Sequence, residues 1–247
     1  MKMKHTLIFI ISLMIMMLVP LTSFSQNEAV QKDTLVYKQK YGLRLGADLS
    51  KIGRTFFDEN YTGFEINADY RLTKNIYLAG ELGTEERVLI NDYLNNTTKG
   101  SYFKAGIDYN LYKNWLDMEN MIYSGFRIGA SSFSQTLNSY TVYNTDQYWN
   151  NPYTYTQNTE FNGLTALWAE LIFGIKAEVL NNLYLGLNVQ LKGRITDTKP
   201  SNYENLYIPG FNRTFDSGTF GVGFGYNISY LIPIYKKEKT VIVEEED

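Results

Sequence analysis

Histidine and cysteine carry much of the nucleophilic, acid–base and soft-metal chemistry of proteins. The 247-residue chain has one histidine, His5, and no cysteine. Disulfides, thiolate metal sites and thiol nucleophiles are therefore excluded. What remains for chemistry is carboxylates and amines. Glu81 and Glu85 stand four apart. On a strand that spacing puts them on one face about 13 Å apart, too far to share a proton or to act as a retaining pair. Asp69 and Arg71 stand two apart, as do Lys176 and Glu178. Same-face neighbours of opposite sign suit ion pairing better than catalysis. The expectation is a protein that is not an enzyme, with no catalytic residue, no metal and no cofactor.

The elements that must position these charges alternate with a period of two. Phe64, Ile66, Ala68, Tyr70 and Leu72 share one face, and Glu65, Asn67, Asp69 and Arg71 the other, the pattern of a half-apolar strand. The same reading applies eight times. The other apolar faces run Leu43–Leu49, Ile76–Leu82, Phe103–Leu111, Ile122–Ala130, Leu167–Val179, Leu183–Leu191 and Phe220–Ile232 in steps of two, and none carries a charge. The opposite faces collect Arg44, Asp48, Glu65, Asp69, Arg71, Glu81, Glu85, Lys104, Asp108, Arg127, Glu170, Lys176, Glu178 and Lys192. Six cations against eight anions nearly cancel, as a self-neutralised buried network requires. Tyr77 and Tyr184 follow matching turn sequences and are expected to point inward at one height.

Connections alternate in length. Thr73–Asn75, 112–120 and Leu180–Asn182 are short, whereas 51–60, 86–99, 141–162 and 195–217 are long. That asymmetry predicts an all-β, eight-stranded antiparallel up-and-down barrel with short periplasmic turns and longer extracellular loops. An even strand count brings both termini to the periplasmic side. Tyr41, Tyr70, Tyr109, Tyr123, Tyr230 and Tyr235 would form a lower aromatic girdle. Eight strands leave a lumen that side chains fill, so the charges predict a salt-bridged plug rather than an open pore. A secreted soluble barrel of the lipocalin kind, carrying a small apolar ligand, has the same periodicity with the faces reversed.

Residues 1–25 read as a secretory signal peptide. Lys2, Lys4 and His5 precede the apolar run Leu7–Val19, and Ser23-Phe24-Ser25 offers a small-x-small cleavage site. The run is shorter than the roughly 20 residues of a membrane helix. Cleavage leaves a mature chain without histidine. The remaining chain divides into a periplasmic segment 26–39, a barrel 40–235 and a charged periplasmic tail 236–247. The acidic pI of about 5.4 and the scattered cations give no nucleic-acid partner.

Several stretches resemble a known family. They are Tyr109–Trp115 (YNLYKNW), Ser131–Ser139 (SSFSQTLNS), Gly174–Gly186, Leu206–Arg213 (LYIPGFNR) and Ser229–Lys237 (SYLIPIYKK). The chain is similar to an uncharacterised Bacteroidetes outer-membrane β-barrel family that carries only a domain-of-unknown-function label, and in build to OmpA/OmpX-type barrels. The resemblance implies fold and outer-membrane location and no activity. Outer-membrane enzymes of similar size typically rely on a histidine, which the mature chain lacks. Expected partners are outer-membrane lipid, the barrel-assembly and periplasmic chaperone machinery during biogenesis, and an extracellular glycan or protein. For the last, Tyr143, Tyr148, Trp149, Tyr153 and Tyr155 among small polar residues make a candidate recognition surface, on an adhesin-like reading. The segment Asp197–Asp216 is expected to be ordered and packed over the barrel mouth.

Overall fold

The computed structural model describes residues 34–112, 119–142, 153–156, 158–201, 203–214 and 218–242. Residues 1–25, read as a signal peptide, lie outside them. Tyr37–Lys239 forms one compact unit. Of the chain ends outside it, only residues 34–36 and 240–242 are described, as strand.

Eight long strands account for the main unit: β1 (Thr34–Asp48), β2 (Tyr61–Arg71), β3 (Ile76–Asn91), β4 (Leu94–Asn110), β5 (Met121–Thr141), β6 (Thr159–Leu180), β7 (Leu183–Asp197) and β8 (Phe220–Ile242). One helix among the described residues, α1 (Leu49–Phe57), joins β1 to β2. Sequential neighbours pair antiparallel, and β1 lies beside β8, so the sheet closes into an eight-membered ring. No helix among the described residues is long and apolar enough to cross a membrane.

The two faces of the ring are chemically opposite. Leu45, Phe64, Ile66, Leu78, Leu82, Phe103, Ile107, Phe126, Leu171, Phe173, Leu187 and Val189 point outward, each 45–57% exposed. Arg44, Asp48, Glu65, Asp69, Arg71, Glu85, Lys104, Asp108, Arg127, Glu170 and Lys192 point inward and are 5% exposed or less. A barrel that carries an apolar ligand needs the reverse arrangement. The core is therefore mostly polar. Its apolar parts are two clusters: Tyr102, Phe133, Leu164, Ala166, Trp168, Ile208 and Phe211 near one mouth, and Tyr77, Met121, Tyr123 and Ile172 toward the short turns.

Several local expectations are corrected. The run Leu43–Leu49 breaks at its last member, because Asp48 caps a helix. Its carboxylate accepts hydrogen bonds from the Ser50 backbone N–H at 2.7 Å and the Ser50 hydroxyl at 2.6 Å. Residues 51–60 are thus mainly helix rather than loop. Residues 86–99 are not a loop either: β3 and β4 pair without interruption to Asn91 and Leu94. β1 begins at Thr34 and β8 runs to Ile242, beyond the 40–235 limits read from sequence. Tyr123 is 4% exposed on the inner face of β5, and Tyr41 is 5% exposed, covered by the stacked ring of Tyr235 and by Arg71, so neither stands as a free girdle residue; Tyr109 and Tyr230 face outward.

At the C-terminus of α1 the Asp58 backbone N–H donates to the Arg54 carbonyl at 2.8 Å. Desolvation raises the Asp58 carboxyl, but hydrogen bonds from Arg87, the Asn60 N–H and Arg54 together outweigh it and hold the group below its usual range.

Loss of the N-cap should loosen α1 without opening the ring. Asp48→Ala is expected to lower stability by about 0.5–2 kcal/mol, read as a shift in the urea midpoint with strand circular dichroism unchanged.

Candidate functional site

Strand alternation sends every second side chain of all eight strands into the ring, and the charges meet there in three levels. Near the short turns, Arg71 contacts Glu119 at 2.8 Å and Lys40 contacts Glu178 at 3.1 Å. Arg71 also donates to the carbonyls of Thr73 and Lys74, so its guanidinium ties the β2–β3 turn to the lumen. At mid-height Asp69 lies between two cations, Arg44 at 2.8 Å and Lys176 at 2.6 Å. The Arg44 guanidinium packs over Tyr184 and Tyr77, at 4.6 and 5.4 Å from their ring centres. Both tyrosines point inward and are buried. Arg127 meets Asp108 at 2.8 Å.

Toward the other mouth Lys104 is the hub. It lies 2.8 Å from Glu81, 3.6 Å from Glu65 and 3.6 Å from Glu170. Glu170 also meets Lys192 at 3.4 Å and accepts from the Trp168 indole N–H at 2.7 Å. Two residues apart on β6, Trp168 and Glu170 share the inner face. Of the charges expected to form one network, Asp48 instead caps α1, and Glu178 sits at the turn end beside Asn182, whose N–H it accepts. Arg44, Glu65, Asp69, Arg71, Glu81, Lys104, Asp108, Arg127, Glu170, Lys176 and Lys192 all have an ionic partner inside.

Sequence reasoning missed several partners. Lys51 reaches in from α1 to pair with Glu85 and lies 3.7 Å from Glu65. Tyr102 donates to Glu65 and Tyr61 to Glu85. Lys40 and Glu119 close the lower level. The tyrosines were legible by alternation, Tyr61 falling in step with Glu65 on β2 and Tyr102 in step with Lys104 on β4. Lys51 was not, because it stands on a helix.

The segment between β7 and β8 folds into the mouth. Tyr207, Ile208 and Phe211 are at most 3% exposed. The Tyr207 hydroxyl donates to Glu85 at 2.7 Å and the Gly210 N–H at 2.9 Å, while the Gly210 carbonyl accepts from Lys192 at 2.6 Å. Gly210 has φ +80° and lies against the Tyr102 ring, which leaves no room for a Cβ; only glycine meets both demands at low cost. Gln135 seals this contact, donating to the Glu204 carbonyl and accepting from the Leu206 N–H. Two voids inside the ring, beside Asp69 and Arg127 and beneath Arg44, measure about 20 and 10 Å³, room for about one water each.

Tyr153 and Tyr155 are exposed at the outer end of β5. Tyr155 stacks on Tyr140 at 4.9 Å and meets Tyr153 edge-on at 4.6 Å. Thr154 and Tyr155 pair with Thr141 and Tyr140 as a short strand, so Tyr155 extends the wall and Tyr153 lies just beyond it. Tyr143, Tyr148 and Trp149 lie outside the described residues.

Residues 6–237 match the family model described as Domain of unknown function (DUF6048). Among curated proteins the chain has no match. A solved structure similar in build is Ail, the attachment invasion locus protein of Yersinia pestis: 9% identity, TM-score 0.36, covering 84% of this chain and 100% of that one. At that distance the likeness assigns neither ligand nor activity.

The hub should be costly to break. Lys104→Met leaves buried carboxylates short of a cation and is expected to cost about 3–5 kcal/mol. Lys199→Ala breaks a pair with Glu204 whose side chains are 54% and 53% exposed and should cost at most about 1 kcal/mol. Urea unfolding of the two variants in detergent micelles measures the contrast.

Proposed function

The chain belongs to the DUF6048 family, and we propose that it is a small outer-membrane barrel with a closed, ion-paired lumen and a structural or surface-recognition role. One observation carries this reading: the ring is apolar outside and charged inside. In water the outer belt would be a very large exposed apolar surface. In a bilayer it is the lipid-facing wall of a transmembrane barrel, and the closed ladder leaves few backbone groups unpaired.

The lumen is read as a plug. Its cations and carboxylates neutralise one another, and the segment carrying Tyr207 and Phe211 stops the mouth. No general base for hydrolysis stands free among the described lumen charges, and the mature chain of the sequence reading has no histidine. These features support a non-enzymatic role. Both termini are assigned to the periplasm and the long connections, with α1, to the cell surface. An adhesin-like role through the outer connections is the second reading, supported by the exposed Tyr140, Tyr153 and Tyr155 cluster.

Two neighbouring positions on β7 test the orientation. Val189 is 57% exposed and Gln190 is 6% exposed. Val189→Arg should impair refolding into lipid vesicles by about 2–4 kcal/mol, and Gln190→Arg by less. Equal or inverted effects would overturn the membrane assignment. In a planar bilayer the purified barrel should carry no steady porin-like current; a large ohmic conductance would overturn the plug.

A further inference from the structure

β1 is shorter than its neighbours at the mouth. Gly42 lies against Ile232 of β8 and Gly46 against Ile228, and Ala47 pairs with Ile66 of β2. Extending those registers puts Asp48, the last residue of β1, beside Tyr226 and Glu65. Phe220–Gly225 of β8 and Tyr61–Phe64 of β2 therefore rise past the end of β1, and the wall there lacks a strand. The outward side chains at this seam stand unusually free: Phe220, Val222 and Phe224 are 80%, 72% and 76% exposed.

Helix α1 begins where β1 stops and lies along the edge of β2. Thr55 ties the helix to that edge: its hydroxyl accepts from the Gly63 N–H at 2.9 Å, and its one proton lies between the carbonyls of Lys51 at 3.0 Å and Gly63 at 3.1 Å. The polar side of the helix is anchored to the barrel. Lys51 pairs with Glu85, and Arg54 packs over Tyr61 at 4.0 Å from its ring centre. Its apolar side is uncovered, with Phe56 80% and Phe57 91% exposed. Ile52 and Phe56 face a groove of about 440 Å³ whose other wall includes Phe64 and Thr84.

Phe64 belongs to the outer belt and pairs with Thr84 on β3. On β3 the belt ends at Leu82, and Thr84 and Glu86 follow outward. The apolar side of α1 thus continues the belt at its upper border, where hydrocarbon meets headgroup. A short amphipathic helix with phenylalanines on one side and cations anchored on the other suits that boundary.

Resting on the membrane reading above, we infer that α1 is a lipid-seated wall element. It replaces the missing end of β1 and inserts Phe56 and Phe57 among the acyl chains of the outer leaflet. The occupant of its apolar side is lipid, not a second copy or a soluble partner. Continuity with the belt through Phe64 carries this choice, because any surface continuous with the lipid-facing wall at that height meets acyl chains first.

The absence of cysteine allows a clean test. Phe56→Cys and Phe57→Cys are made singly, spin-labelled and refolded into vesicles, with Val189→Cys as belt reference and Tyr153→Cys as loop reference. Collision rates with molecular oxygen and with a water-soluble nickel chelate are compared at each site. The expected result is that both helix sites favour oxygen as Val189→Cys does, while Tyr153→Cys favours the chelate. Helix sites that follow Tyr153→Cys while Val189→Cys favours oxygen would overturn the inference and leave the membrane reading intact. A chelate-accessible Val189→Cys would overturn the membrane reading and this inference with it.

Discussion

An ionised group inside an eight-stranded ring has almost no water to turn to, so it must find its counter-charge on another strand. This requirement organises the interior. Lys104 on β4 draws together Glu65 from β2, Glu81 from β3 and Glu170 from β6. Asp69 on β2 holds Arg44 from β1 and Lys176 from β6. These pairs are cross-braces over the lumen, and they fix which strands stand opposite one another. Removing one cation strands several carboxylates at once. The apolar exterior makes no such demand: Leu, Ile, Val and Phe meet an environment indifferent to register, and shape matters there more than partner.

Much of the ring was legible because strand side chains alternate across a wall one residue thick, apart from local register shifts at Asn95/Asn96, Phe133/Gln135, Leu167/Trp168 and Glu178/Leu180. A charge at Glu65 or Lys104 announces its face by the leucines and phenylalanines on either side. Periodicity could not say which face was inside, and the burial of the charged one resolves this. Where alternation ends, legibility ends with it. Leu49 continues the beat of β1 yet starts a helix, because Asp48 accepts from Ser50 instead of extending the strand. The nine residues of α1 are too few to display a helical stripe against a background of strands. Residues 86–99 contain enough polar and charged side chains to resemble a loop, but above the belt both faces of a strand are free to be polar. Tyr41 and Tyr123 were misplaced for a related reason: a tyrosine at a strand end suits a girdle or a cation inside, and composition does not choose between them.

The mouth shows how long-range the remaining information is. Glu85 gathers Lys51 from α1, Tyr61 from β2, and Tyr207 and the Gly210 N–H from the segment before β8. No local motif announces a carboxylate with partners from three parts of the chain. The order of Asp197–Asp216 was legible, yet what Gly210 turns toward is decided by Lys192 and Tyr102.

The Glu85 junction also bears on the order of assembly. Seven of the ring's pairings join strands consecutive in the chain, β1 with β2 through β7 with β8, and can form by local zippering. The contacts of Tyr207 and Gly210 with Glu85 span 122 and 125 residues, and the meeting of β8 with β1, Gly46 against Ile228, spans 182. Such distant contacts carry the largest loop-closure cost and come late. The segment that fills the mouth is threaded immediately before the strand that shuts the ring, so capping the lumen and closing the wall belong to one terminal step. Until then the chain is an open, curved sheet with its charged face still reachable by water, and the cost of drying that face falls at the end, when every counter-charge is already in place.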